Sequence, residues 1–131
     1  MVHHPMVYAR LLGEKIQKHG VACWLVNTGW TGGPYGVGQR MKIDYTRAII
    51  DALLSGQLST AIFVNDPVFG VMVPLSCPGV PDAALMPRNT WTDKAAYDDQ
   101  ARKLAAMFSA NFEPFSGTVP SEILAAGPRS I

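Results

Sequence analysis

The sequence predicts an α/β fold, and three observations predict it. Residues 21–26, Val21-Ala22-Cys23-Trp24-Leu25-Val26, form an apolar run with no polar alternation, the pattern of a strand covered on both faces. Apolar residues at spacings of three and four, before and after that run, predict amphipathic helices. Two patches rich in glycine and proline, residues 28–38 and 74–87, separate these elements and mark loops.

Residues 5–19 place Tyr8, Leu11, Leu12, Ile16 and His19 on one stripe and Arg10, Glu14 and Lys18 on the other side, predicting a helix that Gly20 stops. Residues 21–26 then predict the covered strand, with Cys23 inside it. A short extended piece over 41–43 leads to Asp44 as the N-cap of a helix over 45–55, with Ala48, Ile49, Ala52 and Leu53 on its inner face and Gly56 at its end. Residues 61–64 and 68–73 are rich in β-formers, and Asn65-Asp66-Pro67 between them is turn chemistry, so a hairpin is expected. Thr92 or Asp93 opens the last long helix. Its apolar face carries Tyr97, Ala101, Leu104, Ala105, Phe108 and Phe112, and its wet face the i,i+4 pairs Asp98/Arg102 and Asp99/Lys103. A short helical piece near 121–126 precedes Gly127-Pro128.

Composition narrows the function classes. The 131 residues carry a net charge of +1 and are 48% hydrophobic, which fits one globular domain or a piece of one. So balanced a charge gives no broad electrostatic hold on nucleic acid or an anionic membrane. Every apolar stretch falls well short of the roughly 18 residues of a membrane span, and the first residues lack a secretory pattern. A soluble, intracellular protein is expected. Cys23 and Cys77 are too few for a disulfide scaffold and are expected as free thiols. His3 and His4 lie in the amino-terminal tail and His19 ends a helix; with no metal-ligand spacing anywhere, neither a metal site nor a catalytic residue is assigned to this chain.

The chemistry is expected in the first glycine patch. Its five glycines, 29, 32, 33, 36 and 38, follow the apolar run directly and let backbone approach a ligand closely. Two phosphate-binding motifs fail there. Gly33 and Gly38 have the spacing of a P-loop, but Gln39-Arg40 stands where Lys-Ser/Thr is required, and Met41 stands where a dinucleotide fingerprint needs its third glycine. On spacing alone the patch reads first as a surface turn held by Trp30 and Tyr35, with a ligand loop as the alternative. Arg40 and Arg88 stand out as cations on loops, where a planar guanidinium can stack on an aromatic base, grip a phosphate or fix a loop through carbonyls.

The run Trp24-Leu25-Val26-Asn27-Thr28-Gly29-Trp30-Thr31-Gly32-Gly33-Pro34-Tyr35-Gly36-Val37-Gly38-Gln39-Arg40-Met41, followed by Tyr45-Thr46-Arg47-Ala48, resembles the carboxy-terminal portion of the ATP-dependent phosphoenolpyruvate carboxykinases. So do Asp66-Pro67-Val68-Phe69-Gly70, Cys77-Pro78-Gly79-Val80-Pro81 and Pro87-Arg88-Asn89-Thr90-Trp91, in that order along nearly the whole chain.

The resemblance implies the carboxy-terminal part of a mononucleotide-binding domain, a mixed sheet with flanking helices, with residues 1–131 forming a piece of that single domain. It implies an enzyme of gluconeogenesis that converts oxaloacetate and ATP to phosphoenolpyruvate, ADP and carbon dioxide. Arg40, Met41 and Thr46 fall on positions that contact ATP near its adenine and ribose, Met41 through backbone or apolar contact. The P-loop, the substrate arginines and the ligands of Mg²⁺ and Mn²⁺ belong to the family's upstream region, so this segment is expected to be inactive alone and to need the amino-terminal part of its own polypeptide as partner. Its apolar strand is expected to pair with strands from that part and, uncovered, to invite self-association. A free-standing nucleotide-binding or scaffold module is the alternative. The tail Arg129-Ser130-Ile131 departs from a Ser-Lys-Leu address, so a cytoplasmic location is expected.

Overall fold

The computed structural model describes residues 2–129, so Ser130 and Ile131 of the tail lie outside the described residues. Helix α1 spans Pro5–His19, with proline in its first turn, where a missing N–H costs nothing. His4 caps it through its ring nitrogen, which accepts the Met6 N–H at 3.4 Å, and Gly20 ends it in the left-handed region at φ 60°. The helix forms as its periodicity predicts, yet none of its residues is buried: the stripe of Tyr8, Leu11 and Leu12 faces outward.

The covered strand expected at 21–26 does not form. A strand requires a ladder partner, and among the described residues the two sheets pair only within themselves. Among the described residues, no backbone group of 21–26 takes part in a hydrogen bond. The segment stays irregular and exposed, with Leu25 93% open and Cys23 on the surface instead of inside a strand. Its one aromatic anchor is Trp24, whose ring lies 5.8 Å from that of Phe63.

Four short strands follow in two antiparallel ribbons. β1, Trp30–Thr31, pairs with β2, Gln39–Arg40. β3, Phe63–Asn65, pairs with β4, Met72–Pro74. The second ribbon is the expected hairpin with shorter strands. Its turn is closed by Asp66, whose Oδ1 accepts the N–H groups of Val68 at 2.9 Å and Phe69 at 2.7 Å. The fold is thus a mixture of helices and small antiparallel sheets, and the single mixed sheet is not formed by these residues.

Helix α2, Ile43–Leu54, begins two residues earlier than predicted and takes in part of the piece expected to be extended. Lys42 occupies the N-cap position without a side-chain bond, so Asp44 is not the cap; it sits inside the first turn, where the helix dipole favours a carboxylate. A 3₁₀ turn, Gln57–Thr60, folds Leu58 back onto Ala52. Two short helices occupy the proline patch: α3, Asp82–Leu85, and α4, Pro87–Thr90. Helix α5, Lys94–Phe112, is capped by Asp93, whose carboxylate accepts the Ala96 N–H at 3.0 Å. A second 3₁₀ turn, Glu113–Thr118, leads to helix α6, Ser121–Ala125.

Neither predicted i,i+4 pair on α5 is present. Asp98 turns to Arg88 on α4, and Arg102 pairs with Asp99 one turn back. A bidentate fork to a guanidinium ten positions away offers Asp98 two charge-assisted bonds, which a single helix-surface contact does not match.

Among the described residues, two small cores hold the chain. Ala52, Leu58, Cys77 and Val80 form one, under α2 and α3. Val68, Ala101 and Ala105 form the other, between the β3–β4 turn and α5. The chain exposes 9698 Å², whereas a compact monomer of 14.2 kDa exposes about 6,800 Å² by surface scaling. Among the exposed large apolar side chains are those of α1, of residues 21–26, and of the Leu104, Met107 and Phe108 side of α5.

Three outcomes follow. Leu58→Ala should destabilise the chain by about 2–4 kcal/mol, read as a lower urea midpoint with an unchanged slope. In a timed thiol-labelling experiment, Cys23 should react at once, while Cys77, buried and with its thiol pKa raised by desolvation, should react only on unfolding. The Arg88 guanidinium lowers the Asp98 pKa through its hydrogen bonds. That carboxylate therefore contributes stability above the ordinary value of about 4 and loses it as pH falls through its lower folded value. Asp98→Asn should lower the urea midpoint at pH 7, by a margin that shrinks as pH falls below about 4.

Candidate functional site

The glycine patch folds into the β1–β2 hairpin, whose geometry only glycine permits at its neck. A Cβ on Gly38 would collide with the carbonyl oxygens of Gly33 and Thr31, so the two arms touch backbone to backbone. Pro34 starts the turn, and its carbonyl accepts the N–H groups of Val37 at 3.0 Å and Gly38 at 2.9 Å. Trp30 and Tyr35 meet edge to face at 5.2 Å, so a turn held by these two rings is realised.

The same turn also presents a cation. Trp30 lies opposite Arg40 in the ladder, and the Arg40 guanidinium carbon sits 6.0 Å from the Trp30 ring centre. Among the described residues Arg40 belongs to no ion pair, and it is exposed. Met41, half-buried, extends the pairing by donating its N–H to the Gly29 carbonyl at 3.0 Å. Thr46 sits half-buried in the first turn of α2, its N–H directed to the Lys42 carbonyl at 3.3 Å. Lys42 lies over the Tyr45 ring at 5.6 Å. The three predicted site residues therefore occupy one continuous corner, the end of β2 and the start of α2.

Arg88, the other loop cation, is engaged internally. Its Nε and Nη2 donate to the two carboxylate oxygens of Asp98 at 2.7 and 2.9 Å. These bonds raise the guanidinium pKa further. Its partner is a carboxylate, not the carbonyls of a loop.

Thr90 was not legible as part of this corner. Its hydroxyl accepts the Gly32 N–H at 3.0 Å across 58 positions and donates to the Pro87 carbonyl at 2.7 Å. No spacing rule connects residues so far apart.

Among the described residues, no three His, Cys, Asp or Glu side chains gather as a cation site. No helix among those residues is long and apolar enough to cross a membrane. A separate, open apolar face of α5, formed by Leu104, Met107, Phe108, Ala110 and Asn111, includes none of the predicted site residues.

Comparison with known proteins gives one answer. The family model described as phosphoenolpyruvate carboxykinase, in its ATP-dependent form, matches residues 1–83. The chain is 60% identical over 124 residues to phosphoenolpyruvate carboxykinase (ATP) 2 of Moorella thermoacetica, covering 95% of the chain and 23% of that protein. It is 58% identical over 127 residues to phosphoenolpyruvate carboxykinase (ATP) of Thermus thermophilus, covering 97% of the chain and 24% of the relative. Against phosphoenolpyruvate carboxykinase (ATP) 1 of Salinibacter ruber it is 56% identical over 128 residues, 98% of the chain and 24% of the relative. The chain spans about a quarter of the length of these relatives. With a family match over more than half of its residues, the chain belongs to the ATP-dependent phosphoenolpyruvate carboxykinase family.

Proposed function

We propose that this chain is the carboxy-terminal segment of the nucleotide-binding domain of an enzyme converting oxaloacetate and ATP to phosphoenolpyruvate, ADP and carbon dioxide. Within it, Arg40, Met41 and Thr46 hold the adenine and ribose end of ATP. The observation that carries this reading is the Arg40 guanidinium: exposed, stacked towards Trp30, and paired with no carboxylate among the described residues. A guanidinium so placed can lay its plane on a purine or donate to ribose oxygens. Met41 offers an apolar contact beside it and Thr46 a hydroxyl from the first turn of α2.

The reactive groups belong elsewhere in this reading. Decarboxylation leaves an enolate whose oxygen takes the γ-phosphoryl group, and that transfer needs charge neutralisation and in-line placement by cations and a phosphate loop. The sequence carries no P-loop motif, and among the described residues no three His, Cys, Asp or Glu side chains gather as a cation site. Its part is to fix the far end of the nucleotide, so that binding energy there places the reacting phosphate. The partner this reading requires is the amino-terminal part of the same polypeptide. The excess exposed surface supports that, as does the apolar segment 21–26, which has strand composition and no ladder. A cytosolic location goes with this reading.

Arg40→Ala in the full-length protein tests it. The dissociation constant for ATP should rise about tenfold or more, the scale of one lost stacking and charge-assisted contact, with the circular dichroism spectrum and melting midpoint of the unliganded protein unchanged. An unaltered ATP constant would remove the assignment.

A further inference from the structure

We propose that Thr90 is the positioning residue of the arginine-bearing hairpin, setting through Gly32 where Arg40 meets the nucleotide. The inference rests on the reading of Arg40 given above and adds a residue that makes no contact with the ligand. The β1–β2 ribbon has two residues per strand, too little to hold an orientation unaided. Besides the ladder itself, its internal bonds among the described residues run from Val37 and Gly38 to Pro34 and from Met41 to Gly29. The Gly32–Thr90 bond is its side-chain link to the rest of the chain.

The link is seated closely. Gly32 takes φ 78°, and a Cβ there would lie 3.3 Å from the Thr90 carbonyl oxygen, so the loop rests directly on the end of α4. Thr90 is itself fixed by its bond to the Pro87 carbonyl. The short helix under it is anchored to α5 twice: by the Arg88–Asp98 fork, and by the Lys94 ammonium, which donates to the carbonyls of Asn89 at 3.0 Å and Trp91 at 2.6 Å. From Gly32 the ladder runs Thr31 to Gln39 and Trp30 to Arg40. A shift at Gly32 therefore reaches the backbone that carries Arg40 within two rungs.

The test measures ATP binding by titration calorimetry on the full-length protein and its variants. Thr90→Val keeps the shape, removes the acceptor and leaves the Gly32 N–H without its partner; the ATP dissociation constant should rise about five- to tenfold. Thr90→Ser should restore it. In an Arg40→Ala background, Thr90→Val should add little, because the effect passes through Arg40. An unchanged constant in Thr90→Val, alongside a weakened one in Arg40→Ala, overturns the inference and leaves the nucleotide reading standing. Unchanged constants in both variants remove both. Fully additive losses also overturn it, since Thr90 would then act without Arg40. Should Thr90→Val fail to fold, amide exchange in the unaltered protein decides: saturating ATP should slow exchange at Gly32 more than at amides of α1, and an equal effect at both overturns the proposal.

Discussion

The short helix α4 is where the parts of this chain meet. On one side its last residue receives a backbone N–H from the glycine hairpin, and on the other its arginine and terminal carbonyls are held by α5. Four helical residues have no stability of their own. They persist because both ends are fixed from outside: Pro87 in the first turn needs no N–H partner, and Lys94 satisfies the carbonyls that the end of a helix leaves open. Without this seat the hairpin would be a two-rung ribbon free to swing, and its arginine would have no defined direction.

The remainder is held sparingly. The buried residues are mostly small, alanines above all, while large apolar side chains on α1, residues 21–26 and α5 remain open. That distribution is the reverse of what an isolated domain selects, since burying large apolar side chains is the main favourable term in folding. It matches a chain that spans about a quarter of the length of its relatives. In the reading proposed above, segment 21–26 and these open apolar faces are surfaces that the rest of the polypeptide would cover.

Much of the local structure was legible in the residues. Helix α1, the second hairpin with its Asp66 turn, and α5 with its Asp93 cap all follow from periodicity and capping chemistry, which act over a few neighbouring positions. Where local signals failed, a distant partner had decided. Asp98 left its helix neighbour for Arg88 because a bidentate fork offers more than an exposed i,i+4 contact. Residues 21–26 have strand composition without a strand because pairing needs another strand's backbone. The helices of the proline patch were missed although Pro87 in a first turn is a usable start signal.

The site divides in the same way. The sequence by itself determined the family and the three residues proposed to meet ATP, since Arg40, Met41 and Thr46 lie within a few positions of one another and of the glycines that shape the turn. That glycine is required at the neck of the hairpin is shown only by the folded backbone, where the arms touch with no room for a Cβ. The tertiary structure alone decided how that hairpin is held. A hydrogen bond between Gly32 and Thr90 depends on two segments 58 residues apart arriving at the same place, and no local propensity encodes such a meeting.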